Sequence, residues 1–488
     1  MYDVVPPAAA TTDHSSGATP TANDHADQGS RDVHKIAGRF INTGQAIVDV
    51  VMRVDRVPEP GGDVFASKHT LLAGGDFNVM AAGARAGASV VYAGSYGQGV
   101  YADIVLAALR EENIEVLAAP VPDMDTGFCV ALVDNQAERT FISTVGAEGV
   151  IGPGQYALAA PGPQDVVYIS GYSLVHEANR AELQRWLAAG ISARVLFDPA
   201  PVVAEVPEPA LAAVLARADV VTANAREAQI LLTRLGAAPA GAETAAARAA
   251  LAEQTDPAGA FRPHPVGVET DPLATETDPA GAEEKPTEAV LLGRARQLSA
   301  ATGAAVVLRA GGAGVALALP GKPDVATSHL ADARGAAEAT CTAEVAGAAD
   351  ATDAADVAGA VKTIGTAKVP TVPASSFRGG GSSFRRSRSP FCGSSSPEQI
   401  RAIFVPPLRV TAVDTNGAGD AHAGVLGAGL CRGESLGLAC ARAGVAAGIA
   451  VTREGPATSP RLAELDAAYA QWRTEIGPER ANALETFG

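Results

Sequence analysis

The sequence predicts an α/β protein with a mostly parallel sheet covered on both faces and a small antiparallel sheet beside it. Three observations carry that expectation. Apolar, β-branched runs alternate with segments of roughly 3.6-residue apolar spacing along most of the chain. The runs are apolar throughout rather than alternately polar, as strands buried on both faces must be. Two pairs of short runs break the rhythm by following one another with no helix between them, which marks hairpins.

Taken in order, FINTGQAIVDVVMRV supplies a strand, Asn78 to Ala86 a small-residue helix, SVVYAGSYG a strand and Tyr101 to Glu112 a helix. The alternation continues with DVVYISGY, the helix Glu177 to Ala189, ARVLFDPAP, the helix Pro209 to Arg217, DVVTAN, the helix Glu227 to Leu235 and AAVVLRAGG. The hairpin pairs are Asp49 to Asp55 with Val64 to Leu72, and Gly127 to Val133 with Arg139 to Thr144 through DNQAE. A small sheet at about 48–72 and 127–144 is placed to cover a site beside the main sheet as a lid.

Three stretches fall outside this pattern. Residues 1–35 are rich in Ala, Thr, Ser, Asp and Pro without a hydrophobic period, the composition of a disordered tail. About 237–287 reads as an acidic inserted linker in which TDPAGA occurs twice, too few copies for a solenoid. About 325–402 reads as a second low-complexity insertion, acidic in its first half and basic, Ser/Gly-rich in its second. The rest fits one large α/β domain over 36–475, followed by a C-terminal tail at 476–488.

Composition narrows the function. The chain has 488 residues, 47% hydrophobic and 19% charged, enough apolar material for a sizeable core. Its net charge of −17 argues against a nucleic-acid partner, since phosphate backbones are held by Lys and Arg. Five cysteines, an odd number without CxxC spacing, indicate neither a disulfide framework nor a zinc site and fit a reducing cytoplasm. The N-terminus lacks the basic and apolar regions of a secretory signal, and the longest apolar stretch, Leu436 to Val451, carries Arg442 in its middle. A soluble protein, with no membrane partner, is expected.

The most informative segment is VTAVDTNGAGDAHAGVLGAGL, Val410 to Leu430. A run ending in Asp414 leads to Gly417, Ala418, Gly419 and Asp420, then to a helix. Small residues admit close approach of a ligand to the backbone, and the N–H groups opening a helix form an anion site. Asp420 beside that site is placed to take a proton from an attacking hydroxyl in phosphoryl transfer. The same residues also suit a plain helix N-cap and turn.

At this point the sequence resembles the ribokinase-like (PfkB) family of carbohydrate and nucleoside kinases, whose DTxGAGD signature matches Asp414 to Asp420. The resemblance extends to the glycine signature AGGDFNVMAAGARAG, to an NxxE motif from Asn224 to Glu227, and to the closing VTREGPATS, in the family's order. It implies a ribokinase-like three-layer sandwich with a mostly parallel central sheet and a small antiparallel β lid. Asp420 matches the catalytic base, and the backbone of Asn416, Gly417, Ala418 and Gly419 the anion hole. Asn224 and Glu227 match the motif that orders Mg²⁺ through water near ATP, the nucleotide that the resemblance implies. Asp414, with carbonyls around Arg453 and Gly455, corresponds to a monovalent-cation (K⁺) site of many members. Asp49, Gly74, Gly75 and Asn78 match the acceptor-binding carboxylate and sugar loop. Gly311 and Gly314, in LRAGGAGV, match the turn beside the nucleotide.

Some residues depart from the family. The loop GGDFN is one residue shorter than ribokinase's own and has Asp76 where ribokinase has Lys. His422 stands where Phe is usual and reads as a packing residue. Arg139, in ERTF, reads either as a lid group reaching the acceptor or as an exposed charge. The family also implies a homodimer through the lid. No GxxxxGK[ST] is present, since Gly321 and Lys322 precede Pro323, and no zinc-hydrolase or protein-kinase motif set competes. The expected activity is ATP-dependent phosphorylation of a hydroxyl on a sugar or sugar-like molecule. A nucleoside acceptor and a silent sugar- or nucleotide-binding protein are the alternatives.

Overall fold

The computed structural model describes residues 38–136, 138–237, 286–321 and 397–488. The expected tail at 1–35 and most of the two insertions lie outside the described residues. A nine-stranded sheet forms the centre, in the order β13-β12-β11-β10-β9-β8-β1-β4-β5. Its parallel part comprises β1 (Arg39–Asn42), β4 (Ser89–Tyr92), β5 (Glu115–Val116), β8 (Val166–Ser170), β9 (Arg194–Asp198), β10 (Val220–Asn224) and β11 (Ala305–Arg309). β12 (Val315–Ala318) and β13 (Ala402–Val405) close one edge as antiparallel neighbours. The expected fold class is observed.

The continuous apolar reading of these strands has its cause in the layers. Phe40, Val90, Val166 and Val307 point into one core, and Ile41, Val91, Val167 and Val306 into the other. Helices α1 (Asp76–Arg85) and α2 (Val100–Glu111) cover the first face together with α8 (Ala418–Cys431), α9 (Leu436–Ala450) and α10 (Leu462–Ile476). The second face carries α4 (Glu177–Ala188), α5 (Glu208–Arg217), α6 (Ala225–Arg234) and α7 (Glu288–Thr302), after the single turn α3 (Tyr172–Val175). α8 is apolar almost all round, as a helix enclosed by its neighbours should be.

The run FINTGQAIVDVVMRV is not one strand. It breaks at Thr43 to Gln45 into β1 of the central sheet and β2 (Ala46–Arg53) of a separate four-stranded sheet. The Thr43 hydroxyl and N–H both donate to the Tyr168 carbonyl, which holds the chain at the break. β2 pairs antiparallel with β3 (Lys68–Gly75), and β6 (Phe128–Val133) antiparallel with β7 (Arg139–Ser143). The two hairpins join by a parallel β2–β6 pairing, giving the order β3-β2-β6-β7.

Two boundaries differ from expectation. Residues 476–488 are not a tail: α11 (Pro478–Glu485) docks there, burying Ala481, Leu484 and Phe487. The burial of Leu484 and Phe487 in the first core explains the ordering. The second insertion ends sooner than 402, because Ile400 is buried and β13 starts at Ala402.

Candidate active site

β1, β8, β9, β10 and β11 end in Asn42, Ser170, Asp198, Asn224 and Arg309. Polar groups therefore gather at the carboxyl ends of parallel strands, where open α/β sheets place their ligands. The N-terminus of α8 faces this edge. Gly417 is its N-cap at φ +75°, and a Cβ there would lie 1.9 Å from the Pro456 carbonyl oxygen, so only glycine fits the turn. The N–H groups of Gly417, Gly419 and Asp420 find no acceptor among the described residues, which leaves them available to an anion.

Packing of α1 against α8 supplies the next residue. A Cβ at Gly424 would lie 2.2 Å from the Val79 carbonyl oxygen, so the glycine lets the helices approach closely. As a result the Asn78 side-chain amide donates to Asp420 Oδ2 at 3.1 Å, across 342 residues. Asp420 stays partly accessible, yet its pKa is raised to about 6: loss of water around it is the largest cause, the Asn78 bond opposes it, Asp198 adds to it and Arg309 opposes it.

Asp49 lies on β2 opposite Leu72 of β3. A Cβ on Gly74 would meet its Oδ2 at 2.1 Å, so this glycine makes room for the carboxylate. Desolvation, and then the charge of Asp420, raise the pKa of Asp49 to about 6. Gly75, at φ +60°, turns the chain sharply from β3 into α1. Asp76 is buried, its N–H donating to the Gln45 carbonyl at 2.8 Å. Its Oδ2 occupies the space that a Cβ on Gly44 would take, and burial followed by Asp420 and Asp198 pushes its carboxyl well above the usual range. Asp76 thus packs under the loop, away from solvent.

Asn224 and Glu227 form a capping box on α6. The Asn224 side chain accepts from the Glu227 N–H at 2.8 Å, and Glu227 Oε2 accepts from the Asn224 N–H at 2.8 Å. Burial and then Asp198 raise the Glu227 pKa to about 7. Glu227 Oε1 holds the Asn224 side-chain amide and keeps a second lone pair, while Oε2 holds the Asn224 N–H and an Arg309 N–H. That arrangement fits Mg²⁺ held through water, while direct coordination would compete with the cap.

The sequence reading did not single out two residues here, Arg309 and Asp198. The Arg309 guanidinium contacts Asp198 Oδ2 at 3.2 Å, Glu227 Oε2 at 3.4 Å and the Gly419 carbonyl at 3.1 Å. Burial works against its charge, but the two carboxylates outweigh that and hold it protonated above its ordinary value. The signal in the sequence was an apolar strand ending in Arg, and another ending in Asp-Pro. Gly311 and Gly314, both at positive φ, form the turn just beyond Arg309, closed by the Ala310 N–H donating to the Gly314 carbonyl at 2.9 Å.

The remaining residues fall elsewhere. Asp414 accepts from the N–H groups of Asn416 and Gly455 and from the Arg139 guanidinium. Arg139 is therefore not an exposed charge. His422 is buried, with Nε2 3.8 Å from Cys440 Sγ, and burial lowers its pKa to about 3, which suits a neutral packing residue. Among the described residues, no helix is long and apolar enough to cross a membrane.

The family model described as pfkB family carbohydrate kinase matches residues 41–257 and 396–462. The chain is 29% identical over 192 residues to the uncharacterized sugar kinase YegV of Escherichia coli (strain K12), a match covering 39% of this chain and 59% of that relative. Among solved structures, ribokinase from Giardia lamblia is similar at a TM-score of 0.53 and 16% identity, covering 89% of this chain and 99% of that one. Ribokinase from Cryptococcus neoformans var. grubii serotype A, in complex with ADP, is similar at a TM-score of 0.52 and 18% identity, covering 88% and 99%. These structural likenesses concern the fold. With more than half of its length matched by the family model, and with the signature residues gathered at one edge of the sheet, this chain belongs to the pfkB family of carbohydrate kinases.

Proposed function

We propose that the protein transfers the γ-phosphoryl group of ATP to a hydroxyl of a sugar or sugar-like small molecule, with Asp420 as the base. The observation that carries this reading is the placement of the Asp420 carboxylate beside the open N–H groups of Gly417 and Gly419. Asp420 takes the proton from the acceptor hydroxyl while Asn78 fixes its orientation. The N–H groups hold oxygens of the transferring phosphate, where charge builds in the transition state. Asp49 accepts hydrogen bonds from acceptor hydroxyls, with Gly74 and Gly75 letting the ring lie against the backbone. Asn224 and Glu227 would hold Mg²⁺ through water on the nucleotide side, where it would supply positive charge against the phosphates. Gly311 and Gly314 line the nucleotide. A nucleoside acceptor is the second reading; the DTxGAGD loop serves sugars and nucleosides alike in the family that the chain resembles.

Initial velocity with Mg·ATP, read as ADP release across a panel of sugars and nucleosides, tests the proposal. Turnover on a sugar supports it and turnover on a nucleoside selects the alternative. No turnover on any member, with ATP binding intact, would overturn both.

The pH profile provides a second check. kcat/KM should fall below about pH 6, more steeply than one decade per unit, because Asp420 and Asp49 both take up protons there. Stability should move the other way. The raised folded pKa values mean that these groups favour folding below the unfolded value near 3.8 and lose that contribution as pH rises through about 6. A flat profile from pH 5 to 8 would remove Asp420 from the base role.

A further inference from the structure

Arg139 stands on β7 of the four-stranded sheet, and its guanidinium pairs with Asp414 Oδ1, 275 residues away in the chain. The pair is well shielded, with 24% of the Arg139 side chain and 15% of the Asp414 side chain exposed. Asp414 Oδ1 also accepts from the Asn416 N–H at 2.9 Å, and Oδ2 from the Gly455 N–H at 3.1 Å. The N–H groups of Val413 and Asp414 both donate to the Val451 carbonyl. Asp414 thus ties together the loop that leads into α8 and the loop that follows α9.

These residues do not fit a monovalent cation at Asp414. The carboxylate's charge is already matched by a guanidinium, Oδ1 is filled by two donors and Oδ2 holds a third, and a second cation beside Arg139 would be repelled. We propose that Arg139 is an internal cation, a positioning residue that fixes the Asp414–Gly417 loop and so orders the anion hole without K⁺. The four-stranded sheet is thereby coupled to the loop, because the group that sets the loop's geometry belongs to that sheet. This inference rests on the proposed reaction only for its kinetic readout.

The test compares the wild type with Arg139→Met, which keeps an apolar stem, and Arg139→Lys, which keeps the charge. Each is measured for thermal unfolding and for ADP release at equal ionic strength in potassium, sodium and tetramethylammonium chloride. The wild type should show one Tm and one kcat, within twofold, in all three salts. Arg139→Met in tetramethylammonium chloride should unfold at a lower temperature and lose kcat at least about tenfold. Potassium should restore part of both. Arg139→Lys should stay near the wild type. A wild type whose Tm rises specifically with potassium would overturn the proposal, as would an Arg139→Met variant indistinguishable from wild type in tetramethylammonium chloride. The unfolding readout holds even if no acceptor is turned over, so failure of the kinase reading and failure of this one are told apart.

Discussion

Asp420→Asn should lower kcat by at least about 10²-fold, the smaller end of the range for loss of a general base. Asparagine keeps the shape and the contact with Asn78 but cannot take a proton. Affinity for ATP should change little, because the anion hole is built from the backbone of Gly417 to Gly419 rather than from this side chain. Stability above pH 6 should hold or increase, since the protein raises the Asp420 pKa and therefore disfavours its charged form. Steady-state kinetics, ATP titration and denaturant unfolding check the three parts. A variant that kept most of its kcat would remove Asp420 from the mechanism.

Arg309→Met should destabilise the fold by about 3–5 kcal/mol, the usual cost of deleting one partner from a buried ion pair. Asp198 and Glu227 would be left as neighbouring buried carboxylates with no cation between them. The loss should shrink as pH falls from 8 towards about 7, because without the guanidinium that lowers it, the Glu227 carboxyl takes its proton at a higher pH than in the wild type, where burial and Asp198 already raise it to about 7. Denaturant unfolding at pH 6 and pH 8 measures both effects. A loss under about 1 kcal/mol at pH 8 would show that the guanidinium is dispensable to this edge of the sheet.

The alternation of apolar runs and helices made the central sheet legible, since strands buried on both faces leave a continuous apolar record. The hairpins were legible for a similar reason, as neighbouring runs without an intervening helix. The break at Thr43 to Gln45 was not, because apolar residues on both sides hide a turn whose cause is a contact with Tyr168, far away in the chain. The docking of residues 478–485 was also missed: Ala481, Leu484 and Phe487 recur at three-residue spacing, but in too short a segment to stand out. In the site, the glycines and Asp420 announced themselves by local spacing. Arg309 ended a strand whose glycine turn drew the attention, and the partner of Arg139 lies 275 residues away, a separation no local pattern encodes.

The most direct test of the central claim is ³¹P NMR of wild type and Asp420→Asn, each with Mg·ATP and the best acceptor from the panel. With the wild type, the γ-phosphate signal should be replaced by ADP and a new phosphomonoester resonance coupled to a carbon-bound proton of the acceptor. With Asp420→Asn, that resonance should grow at least about 10²-fold more slowly. Conversion of ATP to ADP and orthophosphate alone, or equal phosphomonoester formation by both proteins, would contradict transfer to a hydroxyl activated by Asp420.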